Sequence, residues 1–334
     1  MTDYKKLLDG LFEKYDEELA SALDGNIEEY CYKELYKKES GTSDANYNNR
    51  LRISYTILYT KKYEDYFGIE WLIVRLFNEE IIDRETNSFQ GIGKCLEVLT
   101  ELLKKYDVPD KELLFEQAKN ANFDCMCGFA YICGCNSEYT SPLIEEYTIE
   151  QAIELLIRLN EKELAKKLLA EYTYSDDVYD YNKMYFCMKG FKSIGDFENE
   201  LYCARTLLNM SVLTDDNLEI CNRMLELIKL YNSYEQYDEA SGILDMLIPR
   251  LHSIDNWYST GLGKNSLEQC MLIILNCDSL AEDLWDWAEP FLKRIIDNMY
   301  GNLYKMASLA AYKMADFTFS ELLSDKYDEL HMIF

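Results

Sequence analysis

The chain is predicted to be all-α, an α-solenoid of stacked antiparallel helix pairs, on three observations. Two segments repeat one helix-turn-helix design: KMYFCMKGFKSIGDFENELYCARTLLNM (Lys183 to Met210) and RMLELIKLYNSYEQYDEASGILDMLI (Arg223 to Ile248). Phe197-Glu198 in the turn of the first recurs as Tyr237-Asp238 in the second, 40 residues later. A unit of that size cannot bury its apolar face alone and must stack on neighbours. Apolar residues also recur at helical spacing through most of the remaining chain. Finally, only 4 prolines and 14 glycines interrupt 334 residues, too few for a turn-rich β-sandwich.

The elements follow in order. Leu7, Leu8, Leu11 and Phe12 place a helix from Asp3 to about Leu23, and Tyr30, Cys31 and Leu35 place another from Ile27 to Lys38. Glu39 to Asn49 is small and polar and reads as a loop, with Ser43 or Asp44 available to cap the helix through Ile53, Ile57 and Leu58. Trp71 to Phe77 (WLIVRLF) is ambiguous by periodicity and could be a buried strand, but its helical surroundings assign it to a helix. Further helices are expected at Ile92 to Tyr106 and at Pro109 to Lys119, where proline suits a first turn. Cys135 to Pro142 reads as the loop that separates an N-terminal helical region (1–136) from a helical repeat region (143–334).

In the repeat region the helices are expected in pairs: Ile149 to Arg158 with Lys162 to Glu171, Val178 to Lys192 with Phe197 to Met210, and Asp216 to Tyr231 with Tyr237 to Leu251. Asn256 to Ser266 reads as a loop. Leu267 to Asn276 then pairs with Leu280 to Asn298, the latter kinked or split by Pro290. Leu303 to Phe317 and Ser320 to Met332 cap the array.

Phe191, Gly195-Asp196-Phe197 and Ala204, then Tyr231, Tyr237 and Ala240, and more weakly Ala165 in KELAKKLL, resemble the tetratricopeptide pattern. That pattern has an aromatic late in the first helix, a Gly-Asp-Tyr-like turn and a small residue early in the second. The likeness covers Ile149 to Leu251. The period of 40 exceeds the family's roughly 34 residues, and Glu200 stands where the family has a small side chain. The resemblance implies paired helices and a concave face that holds a peptide or partner protein.

Lys and Arg number 34 against 61 Asp and Glu, a net charge of −27 spread along the chain. Such a field disfavours nucleic acid and anionic membrane surfaces and steers basic proteins toward the surface. The opening MTDYKKLLDGLFEKYDEEL lacks the apolar core of a signal peptide, and MLIIL (Met271 to Leu275) is far too short to span a bilayer. Eleven cysteines, an odd number, then suggest a reducing, cytoplasmic setting.

Cys125, Cys127, Cys133 and Cys135 form a CxC, five-residue, CxC cluster. On a helix Cys127 and Cys135 fall near one face and Cys125 and Cys133 near another, so the four thiols do not converge on a metal. With Gly128, Ala130 and Gly134 they suit a tight helix contact instead. His252 and His331 are the only histidines, and no nucleophile-base arrangement surrounds them. Acid pairs such as Asp215-Asp216 suit helix N-termini, and GLGK (Gly261 to Lys264) lacks the rest of a phosphate loop. No cofactor, metal or catalytic residue is expected.

Tyrosine is overused, at 28 residues. Tyr174, Asp176, Asp177, Tyr179, Asp180 and Tyr181 interleave aromatic and acidic side chains, a surface suited to lysines and arginines of a partner. Tyr231 and Tyr234 extend this candidate surface along the repeat. The expectation is a non-enzymatic protein-protein interaction scaffold that binds a basic partner protein, in its sharpest form an immunity-type inhibitor. The alternative is a peptide-binding regulator acting through a protein effector. A broad acidic face favours the first, and a groove lined by polar and aromatic side chains favours the second.

Overall fold

The computed structural model describes residues 2–38, 41–60, 66–88, 91–106, 108–132, 147–175 and 180–331. The fold is all-α, with helices packed in adjacent antiparallel pairs and, among the described residues, one small hairpin. None of the helices among the described residues is long and apolar enough to cross a membrane. The chain divides into two compact units, Met1–Ser175 and Asp176–Phe334.

In the first unit α1 (Tyr4–Leu23) starts at Asp3, whose side chain accepts from the Lys6 amide at 3.3 Å. It buries one stripe, Leu8, Leu11, Phe12, Tyr15, Leu19 and Ala22, at the spacing of a single helix face. The helix expected from Ile27 to Lys38 does not form. A 3-10 turn at Glu28–Tyr30 is followed by β1 (Glu34–Lys37), which pairs antiparallel with β2 (Gly41–Asp44), Glu34 opposite Asp44 and Lys37 opposite Gly41. Carboxylates take backbone donors that a helix would bond internally: the Tyr32 amide donates to Glu79 at 2.7 Å and the Lys33 amide to Asp44 at 2.9 Å. Asp44 therefore lies in the hairpin and is no cap; Asn46 precedes α2 (Tyr47–Tyr59).

Arg50 on α2 organises this corner. Its side chain is fully buried; Nε donates to Glu80 at 2.6 Å and Nη1 to the Tyr30 carbonyl at 3.0 Å, while Nη2 lies 2.6 Å from Asp44. Glu80, Asp83 and Arg84 come from α3 (Ile69–Thr86), the helix that contains Trp71 to Phe77 as expected. The helices α4 (Lys94–Lys105), α5 (Lys111–Asn120) and α6 (Phe123–Ile132) follow, and α4 packs on both α2 and α3. Pro109 lies just outside α5. The expected loop at Cys135 to Pro142, with Cys133 and Cys135, falls outside the described residues; Cys125 is buried and Cys127 exposed on α6.

Next comes the pair α7 (Ile149–Arg158) and α8 (Lys162–Thr173). The first opens on a capping box in which Thr148 and Gln151 exchange backbone-side-chain hydrogen bonds of 3.3 and 2.8 Å. These two helices, grouped with the later pairs on sequence, belong to the first unit. Tyr4 donates to the Tyr147 carbonyl at 3.0 Å, Tyr15 donates to Glu161, and α1 packs against α7.

Among the described residues the second unit is a run of four pairs. They are α9 (Tyr181–Ile194) with α10 (Phe197–Thr214), α11 (Asn217–Ser233) with α12 (Tyr237–His252), α13 (Gly261–Asn276) with α14 (Asp278–Arg294), and α15 (Gly301–Lys313) with α16 (Phe317–His331). Pro290 sits inside α14, which runs to Arg294 and is followed by a separate 3-10 turn at Ile296–Asn298. The loop expected over Asn256 to Ser266 is mostly ordered: Trp257–Ser259 is a 3-10 turn and Gly261 already begins α13. Gly263 makes this possible, because a Cβ there would lie 2.0 Å from the Trp257 carbonyl oxygen. One apolar core runs from Leu201 to Leu323, with buried Cys221 and Cys270 as part of it.

Candidate functional site

The first two pairs of the second unit build a groove. At the N-terminus of α9 Asp180 caps the Lys183 amide at 2.8 Å, and at that of α11 Asp216 caps the amides of Leu218 and Glu219 at 3.0 and 3.2 Å. Tyr181 then meets Glu219, its hydroxyl donating at 2.5 Å, and one turn on the Arg223 guanidinium lies 5.5 Å from the Tyr185 ring centre. Both contacts join residues 38 apart, so α9 and α11 run side by side in the same direction. Arg223 is held by Glu219 at 2.8 Å and also pairs with Glu226, which closes this end of the groove.

Toward the C-terminal ends of the two helices the groove opens to about 540 Å³. Its apolar lining is Met188 of α9, Ala204 of α10 and Leu230 of α11. Around these stand Tyr185, Lys189 and Lys192 of α9, Glu226, Lys229 and Ser233 of α11 with Tyr234 just beyond it, and Glu200 of α10. Lys189 Nζ lies 4.3 Å from the Tyr185 ring centre, and Tyr234 packs on Phe197 with ring centres 4.1 Å apart. The three lysines are exposed, whereas Glu200 retains 5% of its surface. Burial raises the pKa values of Glu200 and Glu226, opposed chiefly by Lys192 for the first and by Arg223 for the second. Burial, followed by the hydrogen bond to Glu219, pushes Tyr181 up to about 12.

The candidate residues from sequence are dispersed. Tyr181 closes one end of the groove and Tyr234 lines the other, while Asp180 is a helix cap. Tyr231 is no surface residue. It is 3% exposed, one turn beyond Leu227 and Ile228 on the core stripe of α11, and its hydroxyl accepts from Arg205 at 2.5 Å. Tyr174 is exposed at the end of α8, in the other unit, and Asp176, Asp177 and Tyr179 lie outside the described residues.

Sequence reasoning missed Tyr185, Lys189, Lys192 and Lys229. The signal was present: Tyr185, Lys189 and Lys192 recur at intervals of four and three residues, one face of α9. Glu200, noted only as a departure from a family pattern, belongs to this lining. Among the described residues no group of His, Cys, Asp and Glu is placed to hold a metal ion. His252 packs among Trp257, Trp287 and Phe291, its Nε2 accepting from the Trp287 indole at 3.2 Å. Trp285 is buried and Trp287 half-buried.

Compared with known proteins, the chain matches no family model, no curated protein and no solved structure.

Proposed function

We propose that the chain is a non-enzymatic protein-interaction scaffold whose α9–α11 groove holds a peptide segment of a partner. The observation that carries this reading is the groove itself: an apolar base of Met188, Ala204 and Leu230 framed by tyrosines and charged tips. Tyrosines over this apolar base supply contact area at low entropic cost, and the surrounding charges set register. This favours the peptide-binding alternative, including the tetratricopeptide-like use of a concave face, over a purely electrostatic surface. The test is a photo-crosslinking amino acid placed at Tyr234 and, as a control, at exposed Tyr312. Saturable crosslinks to one segment of one partner from Tyr234 alone are expected. Crosslinks from Tyr312 alone overturn the proposal.

A second reading keeps the basic partner, in the form of an immunity-type inhibitor, and is favoured by α14. Its outer face carries Glu282, Asp283 and Asp286, all exposed, in a chain of net charge −27. Binding there would weaken steeply with salt and fail in the E282K/D286K variant, while leaving groove variants unaffected.

A further inference from the structure

The groove's charge runs against that of the chain. Acids outnumber bases 61 to 34 overall, yet Lys189, Lys192 and Lys229 converge on one opening. Elsewhere in the second unit Lys293, Lys313 and Lys326 sit against carboxylates. No ion pair joins any of the three groove lysines to a carboxylate among the described residues. Of the two groove acids, Glu226 is bound by Arg223 and also feels Lys192 and Lys229, while Glu200, 5% exposed at the base, feels Lys192; three lysines and Arg223 face these two acids. The charge offered at the mouth is therefore cationic.

We propose that this groove takes an acidic peptide segment, with carboxylates on Lys189, Lys192 and Lys229 and an apolar side chain seated over Met188 and Leu230. The inference rests on the groove reading above and fixes the sign of its ligand, opposite to the sign that net charge alone implies. The long-range field does not forbid it. At physiological ionic strength charges are screened over about 8 Å, so distant acids are muted while a lysine in contact with a carboxylate is not. Lys189 and Lys192 are one helical turn apart on the same face, and Lys229 faces them from the neighbouring helix. Two or three spaced carboxylates would thus be engaged together, whereas a lone anion would gain a single exposed pair of little value. Polyphosphate chains are disfavoured because they carry no apolar group to seat over Met188 and Leu230.

The experiment is selection from a random ten-residue peptide library displayed on phage, run against the full-length protein at 0.15 M salt. It is repeated with the K189E/K192E/K229E variant, the K189R/K192R/K229R variant and Tyr234→Ala, each checked for helicity by circular dichroism. Peptides rich in Asp and Glu that also carry Leu or Phe are expected. Their synthetic versions should lose at least about tenfold in affinity on the charge-reversed variant and keep it on the arginine variant. Enrichment of Lys and Arg, or of neither charge, with binding still lost in Tyr234→Ala overturns the sign and leaves the groove standing. Binding unchanged by both the charge reversal and Tyr234→Ala, or no binders at all, overturns the groove reading as well.

Discussion

Glu200 is nearly buried, and burial raises its proton affinity in the folded chain, with Lys192 pulling the other way. In the unfolded chain the group has an ordinary pKa of about 4.3. Its favourable contribution to folding is therefore fully present below that value and is lost as pH rises through the raised folded value. At pH 7.5 the ionised carboxylate opposes folding, and Glu200→Gln should stabilise by about 1 kcal/mol, a gain that shrinks toward zero by pH 4. Calorimetric melting at pH 4, 5.5 and 7.5 checks it, and a pH-independent difference would contradict it. Arg50 is the opposite case, a buried cation on which folding depends. Arg50→Met leaves Asp44, Glu80 and Asp83 facing one another around a lost charge and should cost about 3–5 kcal/mol in urea denaturation. Arg50→Lys should recover little, since one ammonium cannot also reach the Tyr30 carbonyl in the same geometry. At this scale the sequence was a poor guide. Tyr231 and Tyr234 look alike as letters, and only the core stripe through Leu227 and Ile228 decides that one is buried and the other lines the groove.

Four helix pairs turn in the same way. Asn160, Gly195, Glu235 and Ala315 all adopt left-handed backbone, with φ of 60°, 78°, 60° and 61°. In each turn the following amide bonds the carbonyl five residues back: Glu161 to Leu156, Asp196 to Phe191, Gln236 to Tyr231 and Asp316 to Ala311, at 2.8–2.9 Å. This is the Schellman closure, in which glycine is favoured because it lacks the Cβ that crowds left-handed backbone. Glu235→Gly and Ala315→Gly should each stabilise by about 0.5–1 kcal/mol, and Gly195→Ala should destabilise by about 1 kcal/mol with no clash involved. Thermal melts of the three variants read this directly; a loss of stability on placing glycine at Glu235 or Ala315 would refute it. Helix pairing was legible in the sequence because these turns lie between apolar stripes that each define one face. The 40-residue spacing of Phe197 and Tyr237 matches that of Gly195 and Glu235. The β1–β2 hairpin was not legible. Tyr30, Cys31 and Leu35 carry helical spacing, but Glu79 and Asp44 capture the amides of Tyr32 and Lys33, and nothing local announces partners that distant.

Across the whole molecule the charge of −27 acts on both stability and binding, with different dependence on salt. Several surface ion pairs are i,i+3 or i,i+4 contacts such as Lys94–Glu97, Arg158–Glu154 and Lys293–Glu289, each worth only a few tenths of a kcal/mol. Screening these pairs costs little, whereas screening the mutual repulsion of the unmatched acids favours the compact state. Raising NaCl from 0.05 to 0.5 M should therefore increase Tm by roughly 3 °C, and a fall would mean that the ion pairs outweigh the repulsion. The same titration separates the two binding readings. A basic protein on the acidic face of α14 is drawn in by the full field and should lose affinity steadily over that range. An acidic peptide in the groove is repelled by distant acids at 0.05 M and attracted by Lys189, Lys192 and Lys229 at contact. Adding salt first removes the repulsion, because long-range terms are screened before short ones. Its affinity should hold or rise from 0.05 to about 0.15 M and decline only beyond. Isothermal titration at four salt concentrations, with the selected acidic peptide, measures the curve. A steep monotonic loss from the lowest salt would show that the global field does not oppose this ligand.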